Sequence, residues 1–163
     1  MPVPAIQDDQ LNEKVVSLYD FSWFNKIVDV GGGDGGLITS ILVANPQAFG
    51  VLFDAEEVIN GARPKLEAAG IADRCATIAG DFFQSVPAGG DAYIMKWISH
   101  DWDDEHAIRI LKNCGAHNPR RVIIVAKERT ANEFDELLAA ADLRFLRVIP
   151  TDLPTSIIEA EPR

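Results

Sequence analysis

Six consecutive residues, Gly31-Gly32-Gly33-Asp34-Gly35-Gly36, carry five glycines and satisfy the pattern G-x-G-x-x-G. Glycine lets the chain turn sharply and lets a ligand come close to backbone N–H groups, so a loop of this kind between a strand and a helix can cradle a cofactor. Asp54 follows the last glycine by 18 residues, at the end of the next apolar run. A carboxylate there can accept hydrogen bonds from two ribose hydroxyls. The chemistry implied is the binding of an adenosine-bearing cofactor.

NAD and S-adenosylmethionine both use such a crevice, and three features favour the methyl donor. Asp29 stands two residues before the first glycine, where a carboxylate can orient the ammonium of a methionine moiety. Gly80-Asp81-Phe82-Phe83 follows a later strand and offers an acid and an aromatic ring beside the place of an adenine. A pyrophosphate, in contrast, gains nothing from acids at both Asp29 and Asp34.

These residues need a scaffold, and the apolar pattern supplies one. Leu11, Val15, Val16, Leu18 and Tyr19 have the spacing of a short amphipathic helix over 11–20. Strands are expected at 26–30, 49–53, 75–79, 91–97 and 122–126, alternating with helices at 37–44, 55–69, 103–114 and 132–141. Alternation of this kind predicts a doubly wound α/β fold, a Rossmann-like and mostly parallel sheet with helices on both faces. Two last strands, 143–149 and 156–160, are joined by five residues with no helix between them, so they should form an antiparallel hairpin at one edge. Residues 1–25 read as a helical lead-in and 26–163 as the cofactor-binding domain.

The whole chain narrows the function further. Its 163 residues suffice for one domain with its own core. A formal charge of −10 argues against nucleic acid as a partner, since phosphate contacts require clustered Lys and Arg. Cys75 and Cys114 are expected to be buried reduced thiols. His106 and His117 lack ligand partners at useful spacing, so no metal site is expected. The opening residues have no basic region followed by an apolar run, and no window is apolar enough for a membrane span, so a cytoplasmic protein is expected.

The segment Lys96-Trp97-Ile98-Ser99-His100-Asp101-Trp102-Asp103-Asp104-Glu105 is more specific than the glycine loop. Together with Asp29–Gly35, Gly80–Phe83 and the stretch from Arg147 to Glu159, it resembles the class I O-methyltransferases that include plant caffeate and flavonoid enzymes and bacterial polyketide-tailoring enzymes. The resemblance implies S-adenosylmethionine as cofactor and a hydroxylated aromatic small molecule as acceptor. By position it implies that Gly31 and Gly33 approach the cofactor, Asp54 holds its ribose, Asp81 and Phe82 flank its adenine, and Lys96 contacts it. His100 would match the general base and Glu128 an acid that orients it. The chemistry agrees: a sulfonium methyl is already electrophilic, so the protein must align an acceptor oxygen and remove its proton.

The chain departs from this family in two places. The family carries a helical N-terminal dimerisation domain that closes one side of the acceptor pocket, whereas here only the lead-in precedes the first strand. Arg129-Thr130-Ala131-Asn132-Glu133-Phe134 also follows Glu128 at once, where the family has a segment with pocket residues and a second acid. The expectations are a monomer and weak methylation by the chain alone. The rival readings are a reduced cofactor-binding scaffold with little catalysis, and an NAD-dependent oxidoreductase.

Overall fold

The computed structural model describes residues 5–96, 104–126 and 130–163. Its seven strands form a sheet in the order β3-β2-β1-β4-β5-β7-β6. The strands are β1 (Lys26–Val30), β2 (Phe49–Asp54), β3 (Cys75–Ala79), β4 (Ala92–Lys96), β5 (Arg121–Ala126), β6 (Leu143–Pro150) and β7 (Ser156–Pro162). The helices are α1 (Ala5–Leu18), α2 (Gly36–Ala44), α3 (Glu56–Ala68), α4 (Asp104–Gly115) and α5 (Ala131–Ala140). Strands β1 to β5 are parallel, and β7 lies antiparallel between β5 and β6. The expected α/β fold and terminal hairpin are both present.

Alternation along the strands explains the layers. Ile27, Leu52, Ile94, Ile123 and Ile157 point to one face and pack with Val15, Leu37, Ile41, Ile59 and Leu66 of α1, α2 and α3. Val28, Phe53, Tyr93, Ile124 and Ile158 point to the other and pack with Ile110, Leu111, Phe134 and Leu138 of α4 and α5. Asp29 has the parity of Ile27 and is therefore carried into the first of these layers, wholly buried. The chain order reverses between β1 and β4. At such a point neighbouring crossovers leave on opposite faces, and a crevice opens at the carboxyl ends of the strands.

Element boundaries follow local chemistry. Gly70, at φ +77°, ends the turn after α3 as expected. Thr130 accepts from Glu133 N while the Glu133 side chain accepts from Thr130 N, a reciprocal capping box that starts α5. Helix α1 starts at Ala5 rather than at Leu11. The expected cap of α4, Asp103, lies outside the described residues. Burial pushes the Cys75 thiol up to about 11 and Cys114 to about 12, so both free cysteines stay protonated and unreactive. Among the described residues, no helix is long and apolar enough to cross a membrane.

A buried polar knot joins the end of the lead-in to the terminal hairpin. Tyr19 donates its hydroxyl to Glu159, and Arg147 donates Nε to the other carboxylate oxygen at 2.8 Å. Arg121 Nε lies 3.3 Å from Glu159 without hydrogen-bond alignment, and its guanidinium sits 4.8 Å over the Trp23 ring. Burial opposes the charge of Glu159, but the bonds from Tyr19 and Arg147 hold its carboxyl below the usual range. Glu159→Ala strands a buried phenol and an arginine, and should cost about 3 kcal/mol in urea unfolding. Glu159→Gln, which can still accept from Tyr19, should cost less; equal stability of the alanine variant and the parent would refute the knot's role.

Candidate functional site

The glycine loop leaves β1 at the reversal point, and its backbone needs glycine. Gly31, Gly33 and Gly35 have φ of +70°, +63° and +85°, in the left-handed region that other residues seldom adopt. Gly31 N donates to Phe53 O at 2.7 Å, tying the loop to β2. Around the loop opens a cleft of about 310 Å³ lined by Asp29, Gly31, Gly32, Gly33, Asp34, Gly36, Leu37 and Lys96. That volume lies at the lower end of the range for small-molecule sites.

Asp29 is the most unusual group in the wall. Both of its carboxylate oxygens are buried, and among the described residues neither has a hydrogen bond of full geometry, the Ile38 backbone N–H of α2 giving only a weak one. Burial pushes its carboxyl up to about 7; Lys96 and the Ile38 backbone N–H pull against that shift, while Asp54 and Asp34 add to it. A buried carboxylate so weakly hydrogen-bonded beside an open cleft suits a cationic donor. Asp34 differs. Burial opposes its charge too, but Lys65 at 3.0 Å and the Gly36 N–H hold its carboxyl below the usual range.

Asp54 sits half-buried at the end of β2, where it accepts from Gly33 N at 3.0 Å and Ala55 N at 2.7 Å. Its carboxylate therefore stands directly against the loop. The Phe82 ring lies over Gly31, so that a Cβ on that glycine would come within 3.2 Å of it. Asp81 is exposed and closes a turn by accepting from Phe83 N at 2.9 Å. Asn113 of α4 donates to Phe82 O at 2.8 Å, pinning the same turn from the other side.

The structure thus brings Asp29, Gly31, Gly33, Asp54, Phe82 and Lys96 to one end of the sheet, with Asp81 at the rim. His100 and Glu128 lie outside the described residues. Among those residues, no group of His, Cys, Asp and Glu could hold a metal ion. One polar contact in the site had no signal in the local sequence. Asn12, on α1 and 2% exposed, accepts from Lys96 Nζ at 2.9 Å across 84 residues of chain.

Comparisons with known proteins bear on this arrangement. The model of the O-methyltransferase domain family matches residues 6–127. The chain is 40% identical to the phenazine O-methyltransferase PhzM of Lysobacter antibioticus, over 94% of this chain and 53% of that one. It superposes on the mitomycin 7-O-methyltransferase with a TM-score of 0.91 and 31% identity, covering 96% of this chain and 54% of that one. An O-methyltransferase from neocarzinostatin biosynthesis, solved with S-adenosylmethionine and 2-hydroxy-5-methyl naphthoic acid, gives a TM-score of 0.85 at 26% identity, over 98% and 57% of the two chains. The chain spans about half the length of the curated relatives it matches.

Proposed function

The chain belongs to the O-methyltransferase domain family, and from that premise we propose that its cleft binds S-adenosylmethionine for methyl transfer to a hydroxyl of a small aromatic molecule. The observation that carries this reading is Asp29: a buried carboxylate with no hydrogen bond of full geometry among the described residues, in the wall of a cleft built by a glycine loop. The ammonium of an amino-acid-bearing nucleoside suits it, and a pyrophosphate does not.

When bound, the cofactor supplies an electrophilic sulfonium methyl. The residues of this chain do the rest. Asp29 takes the ammonium, Gly31 and Gly33 give close backbone approach, and Lys96 faces the same end. Asp54, already held against the loop by Gly33 N, takes the ribose hydroxyls with its remaining lone pairs. Phe82 and Asp81 flank the adenine. His100, by its place in the segment after β4, removes the acceptor's proton, and Glu128, which follows β5, orients it.

The test pairs binding with turnover. S-adenosylhomocysteine should bind more tightly than NAD in calorimetric titration, and Asp54→Ala should weaken it by about 1.5 to 3 kcal/mol, the usual loss for a hydrogen bond to a charged group. Product formation from catechols and hydroxylated polyketides is measured in parallel, for the chain and for His100→Gln. Equal or tighter NAD binding would overturn the cofactor assignment. Turnover unchanged in His100→Gln would remove the histidine from the mechanism.

A further inference from the structure

The cleft wall carries Asp29 and Asp34 together with Lys96, and the amino-acid moiety of the proposed cofactor has two charges to place. Asp29 answers the ammonium. The carboxylate needs donors, and α1 delivers one that no local motif announces. Asn12 is almost completely buried, although a buried amide is costly unless its groups are used. Its Oδ1 accepts from Lys96 Nζ at 2.9 Å, which fixes the side chain's orientation. The amide Nδ2 must then point the other way, and it lies 3.0 Å from where a Cβ on Gly36 would stand.

Gly36 is the first residue of α2, a helix of nine residues whose N-terminus carries the positive end of its dipole. The Gly36 N–H already donates to Asp34 Oδ1 at 3.0 Å, so a ligand carboxylate there would neighbour that acid and depend on Asn12 and Lys96. Nδ2 has no acceptor among the described residues. Lys96 and Gly36 both line the cleft, so the buried amide sits where an ammonium and a helix N-terminus converge. Each element is weak alone. Together they place a point charge and a neutral donor of fixed orientation at one spot, beside the helix terminus that Asp34 caps.

We propose that Asn12 is a positioning residue for the carboxylate end of the bound cofactor: its carbonyl holds Lys96 in place and its amide faces the ligand carboxylate. This rests on the cleft binding an amino-acid-bearing nucleoside. It gives α1 a function beyond covering the sheet, because the lead-in then supplies part of the site that the glycine loop alone leaves open.

Two ligands separate this role from a structural one. S-adenosylhomocysteine carries the ammonium and the carboxylate; 5′-methylthioadenosine keeps the nucleoside and the sulfur but has neither charge. Calorimetric titration of both is done with the parent chain, Asn12→Ala and Asn12→Asp. Asn12→Ala should weaken S-adenosylhomocysteine about tenfold or more, as expected for a lost hydrogen bond to a charged group, and leave methylthioadenosine within about twofold. Asn12→Asp, which places a like charge beside the ligand carboxylate, should weaken S-adenosylhomocysteine further and again spare the uncharged analogue.

Methylthioadenosine binding also reports that each variant is folded. Parallel losses for both ligands would show a purely structural asparagine and overturn the inference, as would unchanged affinity for both. If the parent chain binds neither ligand, the cofactor assignment itself falls, and this inference with it.

Discussion

Replacing Gly32 with alanine should weaken cofactor binding severely, although Gly32, unlike Gly31, Gly33 and Gly35, has no left-handed φ to oppose the change. A Cβ there would stand 2.3 Å from Leu52 Cδ1 and 2.6 Å and 2.7 Å from Asp29 Oδ2 and Cγ. Neither neighbour can retreat, since Leu52 and Asp29 are both fully buried. The methyl group must therefore push the loop off β2 or drive Asp29 out of the cleft wall. Overpacking of this kind costs about 1 to 3 kcal/mol of stability, and moving Asp29 should lower S-adenosylhomocysteine affinity by roughly 100-fold. Gly33→Ala, which also faces the proposed cofactor, is the control for stability alone. Its Cβ would meet nothing within 4 Å, so only the left-handed backbone at φ +63° opposes it, at about 1 to 2 kcal/mol. Titration and thermal unfolding of both variants check the contrast, and tight binding by Gly32→Ala would show that the loop has more freedom than its contacts imply.

That contrast also marks where sequence ceases to be informative. The pattern G-x-G-x-x-G says that glycines are needed, but not which is needed for φ and which for space. At Gly32 the reason is Leu52, a side chain on the next strand. The strands themselves were legible because their signal is local: β1 and β3 lie at the expected residues, and Asp54 ends β2 as its spacing after the loop implied. The terminal hairpin was legible from a five-residue link that leaves no room for a crossover. Helix α1 was read too short because Ala5–Gln10 show no apolar face. The capping box at Thr130 and Glu133 was visible as Thr-x-x-Glu and could have been read.

The polar pairs were a different matter. Asn12 with Lys96 and Tyr19 with Glu159 join residues 84 and 140 positions apart, and no periodicity or motif encodes such a meeting. Both pairs tie the lead-in to the sheet. Their positions in the fold follow from the topology: β4 lies beside β1, and β7 is inserted beside β5, so late strands come to lie near the start of the chain. A single sequence shows an asparagine on a helix and a glutamate on a strand. Only the sheet order reveals what they face.

The unliganded chain should lose stability as pH rises from about 4 to about 8, in so far as Asp29 determines it. Burial raises this carboxyl from its ordinary 3.8 to about 7, Lys96 opposes the shift, and Asp54 and Asp34 add to it. The folded chain then holds a proton on Asp29 that the unfolded chain has already lost. Since folding binds that proton, stability is highest where both states are protonated, declines through the window between the two values, and bears the full cost of a buried charge above about 7. The difference between 3.8 and about 7 corresponds to at most about 4 kcal/mol, part of which relaxation of the cleft and entering water would relieve. Asp29→Asn removes this slope, so the variant should be more stable than the parent at about pH 8 and differ little at about pH 4. Binding should show the opposite preference. An ammonium placed against Asp29 favours the ionised form, so S-adenosylhomocysteine must expel the proton below about pH 7, and its affinity should fall about tenfold for each unit of acidification there. Titrations in buffers of different ionisation enthalpy count that proton directly. In Asp29→Asn both the proton release and the pH dependence should vanish, along with most of the affinity. Equal affinities at about pH 6 and about pH 8 in the parent chain would mean that the ligand's ammonium is held elsewhere.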